Sequence, residues 1–106
     1  MNKVLTKAIE LLDKYDWTQK TYARDARGEV VDTWSEEACS FCALGFLGRA
    51  TYELGEAYSD GRSESPEMIV AKCVSSSFDW NIAAFNDHPG TTKQDIIDLF
   101  KKANEK

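Results

Sequence analysis

Long hydrophobic runs are missing from this sequence. Its longest uncharged stretch, Ala38 to Gly48, falls short of the about 20 apolar residues that a bilayer-crossing helix needs, so no membrane span is expected. No basic segment precedes an apolar one at the N-terminus, and a secretory signal is therefore not apparent. Histidine is scarce: His88 is the single one, which confines imidazole chemistry to one position. Cysteine numbers three, an odd count that argues against the paired framework of a secreted disulfide-stapled domain and for reduced thiols in a cytoplasmic protein. Positive charge is also short, with 13 Lys and Arg against 18 Asp and Glu. The net charge of -5 repels phosphate backbones on average, so nucleic acid is not an expected partner. There is no internal repeat and no low-complexity tract.

What is present is the composition of an ordered globular chain, 42% hydrophobic and 29% charged, with three Trp, four Tyr and five Phe. A length of 106 residues suits a single domain spanning 1–106, able to bury about 60 to 65 per cent of its unfolded surface around one core. Leu5, Ala8, Ile9 and Leu12 recur at helical spacing within Lys3 to Tyr15 and predict an amphipathic first helix. Trp17 to Arg24, the turn-like Asp25-Ala26-Arg27-Gly28 and Glu29 to Asp32 predict a short β-hairpin, with Gly28 as the left-handed residue. Ser35 as N-cap with Glu36 and Glu37 in the first turn predicts a helix from Glu36 to Leu54, apolar nearly all round and so central. Gly45 and Gly48 each weaken that helix by about 1 kcal/mol, which implies close approach of a neighbouring element at both.

Glu56 to Ser65 reads as an exposed polar loop. Ser65 and Pro66 then start a helix through about Cys73, with Met68, Ile69, Val70 and Ala71 as packing candidates. A short helix from Asp79 or Asn81 to Phe85 precedes the linker Asn86-Asp87-His88-Pro89-Gly90, where Pro89 disfavours helix at His88. Thr91 with Gln94, or Thr92 with Asp95, caps a last helix whose apolar face is Ile96, Ile97, Phe100 and Ala103. The expected fold is mainly α, four to five helices around the central apolar one, with the hairpin between the first and second.

Three stretches stand in a telling order: Trp17-Thr18-Gln19 with Tyr22 to Gly28, then Phe41 to Ala50, then Asn86 to Thr92. In these motifs the chain resembles an uncharacterised family of small bacterial and phage proteins, a domain of unknown function. The resemblance covers most of the chain. It departs at Phe85, where the family carries Trp, at Thr91-Thr92, where Arg-Thr is commoner, and at Phe46-Leu47, where Ala-Leu is commoner. The resemblance implies a coherent domain and brings no activity with it.

Several constellations compete for chemistry. Cys39 and Cys42 at i and i+3 of a helix, with Cys73 and His88, have the composition of a zinc site but not its two close ligand pairs, so structural thiols are the simpler expectation and no metal or cofactor is expected. A redox Cys-x-x-Cys lacks the preceding strand and βαβ unit that such pairs use. A cysteine hydrolase would use Cys42 as nucleophile, His88 as base and Asn86 or Asp87 to orient the imidazole. Asn86 and Asp87 also read as turn formers bonding the backbone around Pro89-Gly90, and this is preferred to a ligand-binding role for them. Trp17, Tyr22, Trp34, Trp80 and Phe85 are expected mostly in the core. Arg24, Arg27 and Arg49 are too dispersed for a phosphate site, and Glu36, Glu37, Glu53, Glu56, Asp60, Glu64 and Glu67 read as a solvated face. With no convincing catalytic set, the expected function is a non-enzymatic protein-interaction module, a phage or prophage accessory factor engaging a host protein. The alternative is a small cysteine-dependent hydrolase or transferase using Cys42 and His88.

Overall fold

The computed structural model describes residues 2–55 and 65–105. The first helix, α1 (Lys3–Lys14), opens at Asn2, whose side-chain oxygen accepts the Val4 and Leu5 N–H groups that the first turn leaves unpaired. Val4, Leu5, Ala8, Leu11 and Leu12 are buried on one face. The last helix, α5 (Lys93–Asn104), begins with the Thr92 and Asp95 capping box and buries Ile96, Leu99, Phe100 and Ala103. Leu99 takes the buried position expected of Ile97, which is only half-buried. Asn104 ties the two helices at their ends, accepting the Asn2 N–H at 2.9 Å and donating to Thr6 Oγ1 at 3.1 Å.

Trp17 to Arg24 is not one strand. It divides into β1 (Asp16–Trp17) and β2 (Ala23–Arg24), because Lys20 adopts φ +70 between them and turns the chain. The strand that joins them, β3 (Ser40–Phe41), lies inside the stretch where the sequence predicts helix. It runs parallel to β1 (Asp16 opposite Ser40) and antiparallel to β2 (Ala23 opposite Phe41), giving the order β1-β3-β2. The predicted hairpin is reduced to a single bridge, Arg24 with Val30, closed by Gly28 at φ +83.

Helix α2 (Ala43–Leu54) accordingly starts at Ala43 rather than Glu36, with Cys42 as its N-cap. The Ser35 hydroxyl still accepts the Glu37 N–H, but only a turn follows. Cys39 then extends, its N–H donating to Arg24 O and its carbonyl accepting from Asp16 N–H, so strand pairing overrides the helical cap signal. Phe41 is fully buried there, edge-on to Tyr15 at 5.3 Å and tilted against Phe46 at 5.2 Å. Burying a side chain of that size stabilises by about 1.5 to 3 kcal/mol.

Ser65 caps α3 (Pro66–Ala71), which buries Pro66 and Val70 but leaves Met68 exposed against expectation. A 3₁₀ turn at Ser76–Phe78 leads through Asp79 and Trp80, both left-handed, to α4 (Ile82–Asp87), capped by Asn81. Asn86 and Asp87 thus form the last turn of a helix rather than a linker, and the chain leaves the helix at His88, before Pro89. Helix α1 packs on α2 and α5, and α3 touches α2, α4 and α5. The radius of gyration, 12.9 Å, is about that of one domain of this length. No helix among the described residues is long and apolar enough to cross a membrane. Of the predicted loop from Glu56 to Ser65, all but Ser65 lies outside the described residues, including the carboxylates Glu56, Asp60 and Glu64.

Candidate functional site

Asn86 is the point where the sequence motifs meet. Its side chain is 1% exposed, and its Oδ1 accepts Trp17 Nε1–H at 2.7 Å and Ala43 N–H at 2.9 Å. Its Nδ2 donates to Thr18 O at 3.2 Å and Asp87 Oδ1 at 3.0 Å, so all four bonding positions of the amide are filled. Gln19 Nε2 donates to the carbonyls of Asn86 and His88, and Asp87 Oδ1 accepts the Lys20 N–H. These bonds correct the turn-forming role expected of Asn86 and Asp87. They span between β1, α4 and the start of α2, while the Pro89-Gly90 turn is held by His88 Nδ1 accepting from Gly90 N–H and by Thr91 Oγ1 donating to Phe85 O.

Cys42 sits beside this junction, 7% exposed, its Sγ accepting the Gly45 N–H at 3.3 Å. Burial pushes its thiol pKa up from the ordinary value, outweighing the Gly45 bond that would lower it; the Asp87 charge raises it further. Asn86 is brought next to it through Ala43. His88 is exposed, with its Nδ1 occupied by Gly90 and its ring edge-on to Phe78 at 5.4 Å, and no hydrogen bond joins it to Cys42 among the described residues. All three cysteines are free thiols, and Cys39, Cys42, Cys73 and His88 do not converge into a group that could hold a metal ion. Cys39 and Cys42 flank the β3 strand instead of sharing a helix face.

Arg24, Arg27 and Arg49 each have local partners. Arg24 donates to Thr18 Oγ1, Gly28 O and Gln19 O, and Arg27 pairs with Asp25 and Glu29. Arg49 is the one whose placement shapes the surface. Its Nη1 donates to the carbonyls of both Thr33 and Ser35 at 2.8 Å, its Nε pairs with Glu53 at 2.8 Å, and its guanidinium lies over the Tyr15, Phe41 and Tyr52 rings. That bond from Arg49 holds the Glu53 carboxyl below its usual value. The backbone of Trp34 is therefore pinned from both sides while its indole is 58% exposed.

Tyr22 is held in the same way. Its carbonyl accepts the Cys42 N–H at 3.1 Å and lies so close to Gly45 that a Cβ there would stand 2.0 Å from it, yet its ring is 60% exposed. Between the two aromatics runs a groove of about 480 Å³ lined by Thr21, Val30, Val31, Asp32, Leu44 and Gly48. Tyr22, Trp34 and Trp80 are thus surface residues, against the expectation that aromatics fill the core, whereas Trp17 and Phe85 are half-buried against it. Trp34 beside two glutamates carried no periodic signal, and only the buried Arg49 explains its placement.

A small, mainly helical domain with a three-stranded sheet and an aromatic-rimmed groove is what the fold and this surface define. The chain belongs to DUF6197, a family of unknown function whose profile matches residues 1–106. No curated protein and no solved structure matches it.

Proposed function

We propose that the chain is a non-enzymatic protein-interaction module that docks its partner in the groove between Tyr22 and Trp34. The observation that carries this reading is that the backbones of both rim residues are fixed by helix α2 while their rings stand in solvent. A backbone already fixed beside exposed aromatics loses little further entropy on binding, which is how a docking face is made ready. A small acidic adaptor of this kind suits a phage or prophage accessory factor that engages a host protein. The test is capture of partners from a host extract by wild type, Trp34→Ala and Trp80→Ala, each recovered protein being purified and re-bound. Trp80 is an exposed control on a different loop. The expected result is a protein whose binding falls by about tenfold or more with Trp34→Ala and is unchanged with Trp80→Ala. Equal capture by all three overturns the reading.

The competing reading is a cysteine-dependent hydrolase or transferase, favoured by one observation: Cys42 is the N-cap of α2, not a residue two turns inside it. A helix N-terminus favours thiolate, but here burial opposes it more strongly. Iodoacetamide at neutral pH is expected to modify the half-buried Cys39 and Cys73 at least about tenfold faster than Cys42. Because the folded thiol's pKa is raised, its contribution to stability is present below the unfolded value and is lost as pH rises through the folded one. Rapid labelling of Cys42 at pH 7, suppressed by His88→Ala, would favour the enzyme reading instead.

A further inference from the structure

The groove has an unpaired backbone edge. Asp25 N–H donates to Glu29 O and Val31 N–H donates to Ala23 O, so the bonding groups of Glu29 and Val31 face β2. In an antiparallel pair, a residue between two such bonds turns its own N–H and C=O to the opposite side. Val30 is that residue. Its N–H and C=O, and the N–H of Asp32, have no partner among the described residues, and its side chain is 65% exposed. Val30, Val31 and Asp32 line the groove together with Tyr22 and Trp34.

The segment that carries this edge is acidic. Residues 29–38 contain Glu29, Asp32, Glu36 and Glu37 and no Lys, Arg or His. Glu29 is paired with Arg27 at 3.7 Å, whereas Asp32, Glu36 and Glu37 have no ion pair among the described residues. The guanidinium of Arg49 is committed to Thr33, Ser35 and Glu53, that of Arg24 to Thr18, Gln19 and Gly28, and that of Arg27 to Asp25 and Glu29. A second copy of this chain pairing edge to edge would set these carboxylates against one another, which disfavours a dimer. Resting on the interaction reading above, we propose that the occupant is an extended, basic segment of a partner protein that adds as a strand along Val30–Asp32. Alternate side chains of that segment lie against Tyr22, Leu44 and Trp34, and the intervening Lys or Arg residues face Asp32, Glu36 and Glu37.

The test uses a library of seven-residue peptides in which Lys or Arg alternates with Val, Ile, Leu or Phe, and a matched library with Glu in place of the basic residues. Titrations into the full chain are followed by calorimetry and by amide hydrogen exchange. The best basic peptides are expected to bind at least about tenfold more tightly than their acidic counterparts, with the preference shrinking as salt is raised. Binding should slow exchange of the Val30 and Asp32 amides. Val30→Pro removes an N–H that bonds nothing in the fold, so the variant is expected to stay folded while losing about tenfold in affinity. Methylating alternate backbone nitrogens of the peptide should cause the same loss without altering the protein. Binding indifferent to both changes, equal binding of acidic and basic peptides, no peptide binding, or an edge-mediated dimer would each overturn the proposal. A natural partner that needs Trp34 but tolerates Val30→Pro would overturn it while leaving the interaction reading in place.

Discussion

Asn86→Ala is expected to destabilise the domain by about 3 to 5 kcal/mol, a large share of the roughly 5 to 15 kcal/mol that a domain of this size possesses. The residue is 1% exposed, and its removal leaves the buried Ala43 N–H and the half-buried Trp17 Nε1–H and Thr18 O without their partner. Each orphaned buried group costs about 1 to 3 kcal/mol, and the Ala43 N–H is also one of the first donors of α2. Thermal unfolding should show a fall in Tm on the order of 15 °C or more. Trp17→Phe removes one orphan in advance, so Asn86→Ala made in that background should cost about 1 kcal/mol less than in wild type. A loss under about 1 kcal/mol for the single variant would mean that the junction is not held by this amide. Partner capture by any destabilised variant is measured only where it remains folded, which separates the scaffold from the docking face.

The parts of this fold that were legible in the sequence are those whose signals are local. The α1 stripe, the Thr92 and Asp95 cap, the Ser65-Pro66 start and the stop before Pro89 all act within a turn or two of the residues that announce them. Strand β3 was not legible, because Ser40-Phe41 is extended only by virtue of partners at Asp16–Trp17 and Ala23–Arg24, and a short apolar run does not itself declare helix or strand. The Ser35-Glu36-Glu37 cap signal is real in chemistry but loses to that pairing, which moves Cys42 from mid-helix to the helix start. The role of Asn86 was hidden for a related reason: its partners lie at positions 17, 18 and 43, and only its neighbour Asp87 is local. One clue was available, since an indole N–H drawn against the core needs an acceptor there. The groove left the weakest trace. Its rim residues are aromatic, and composition alone places aromatics inside.

Gly45→Ala and Gly48→Ala are expected to have opposite signs, although they lie one turn apart in the same helix. Alanine in a helix interior normally gains about 1 kcal/mol over glycine. At position 48 the new methyl would meet only the Thr33 side chain, at 3.8 and 4.0 Å, so that gain should appear nearly in full. At position 45 it would stand 2.0 Å from the Tyr22 carbonyl oxygen, which is backbone and already accepts the Cys42 N–H. Moving that carbonyl loosens a bond at the helix start, and the variant should lose about 2 to 3 kcal/mol net. Close approach thus explains Gly45 but not Gly48, where the sequence suggested it for both. The two variants also separate stability from docking. Gly48→Ala should raise the denaturation midpoint while weakening occupancy, because it adds a methyl at a position that lines the groove. Gly45→Ala should weaken both, because Tyr22 is the rim residue whose backbone it displaces. Urea denaturation and peptide titration of the same two proteins check this, and a stabilised Gly48→Ala that binds as wild type would remove the groove floor from the docking face.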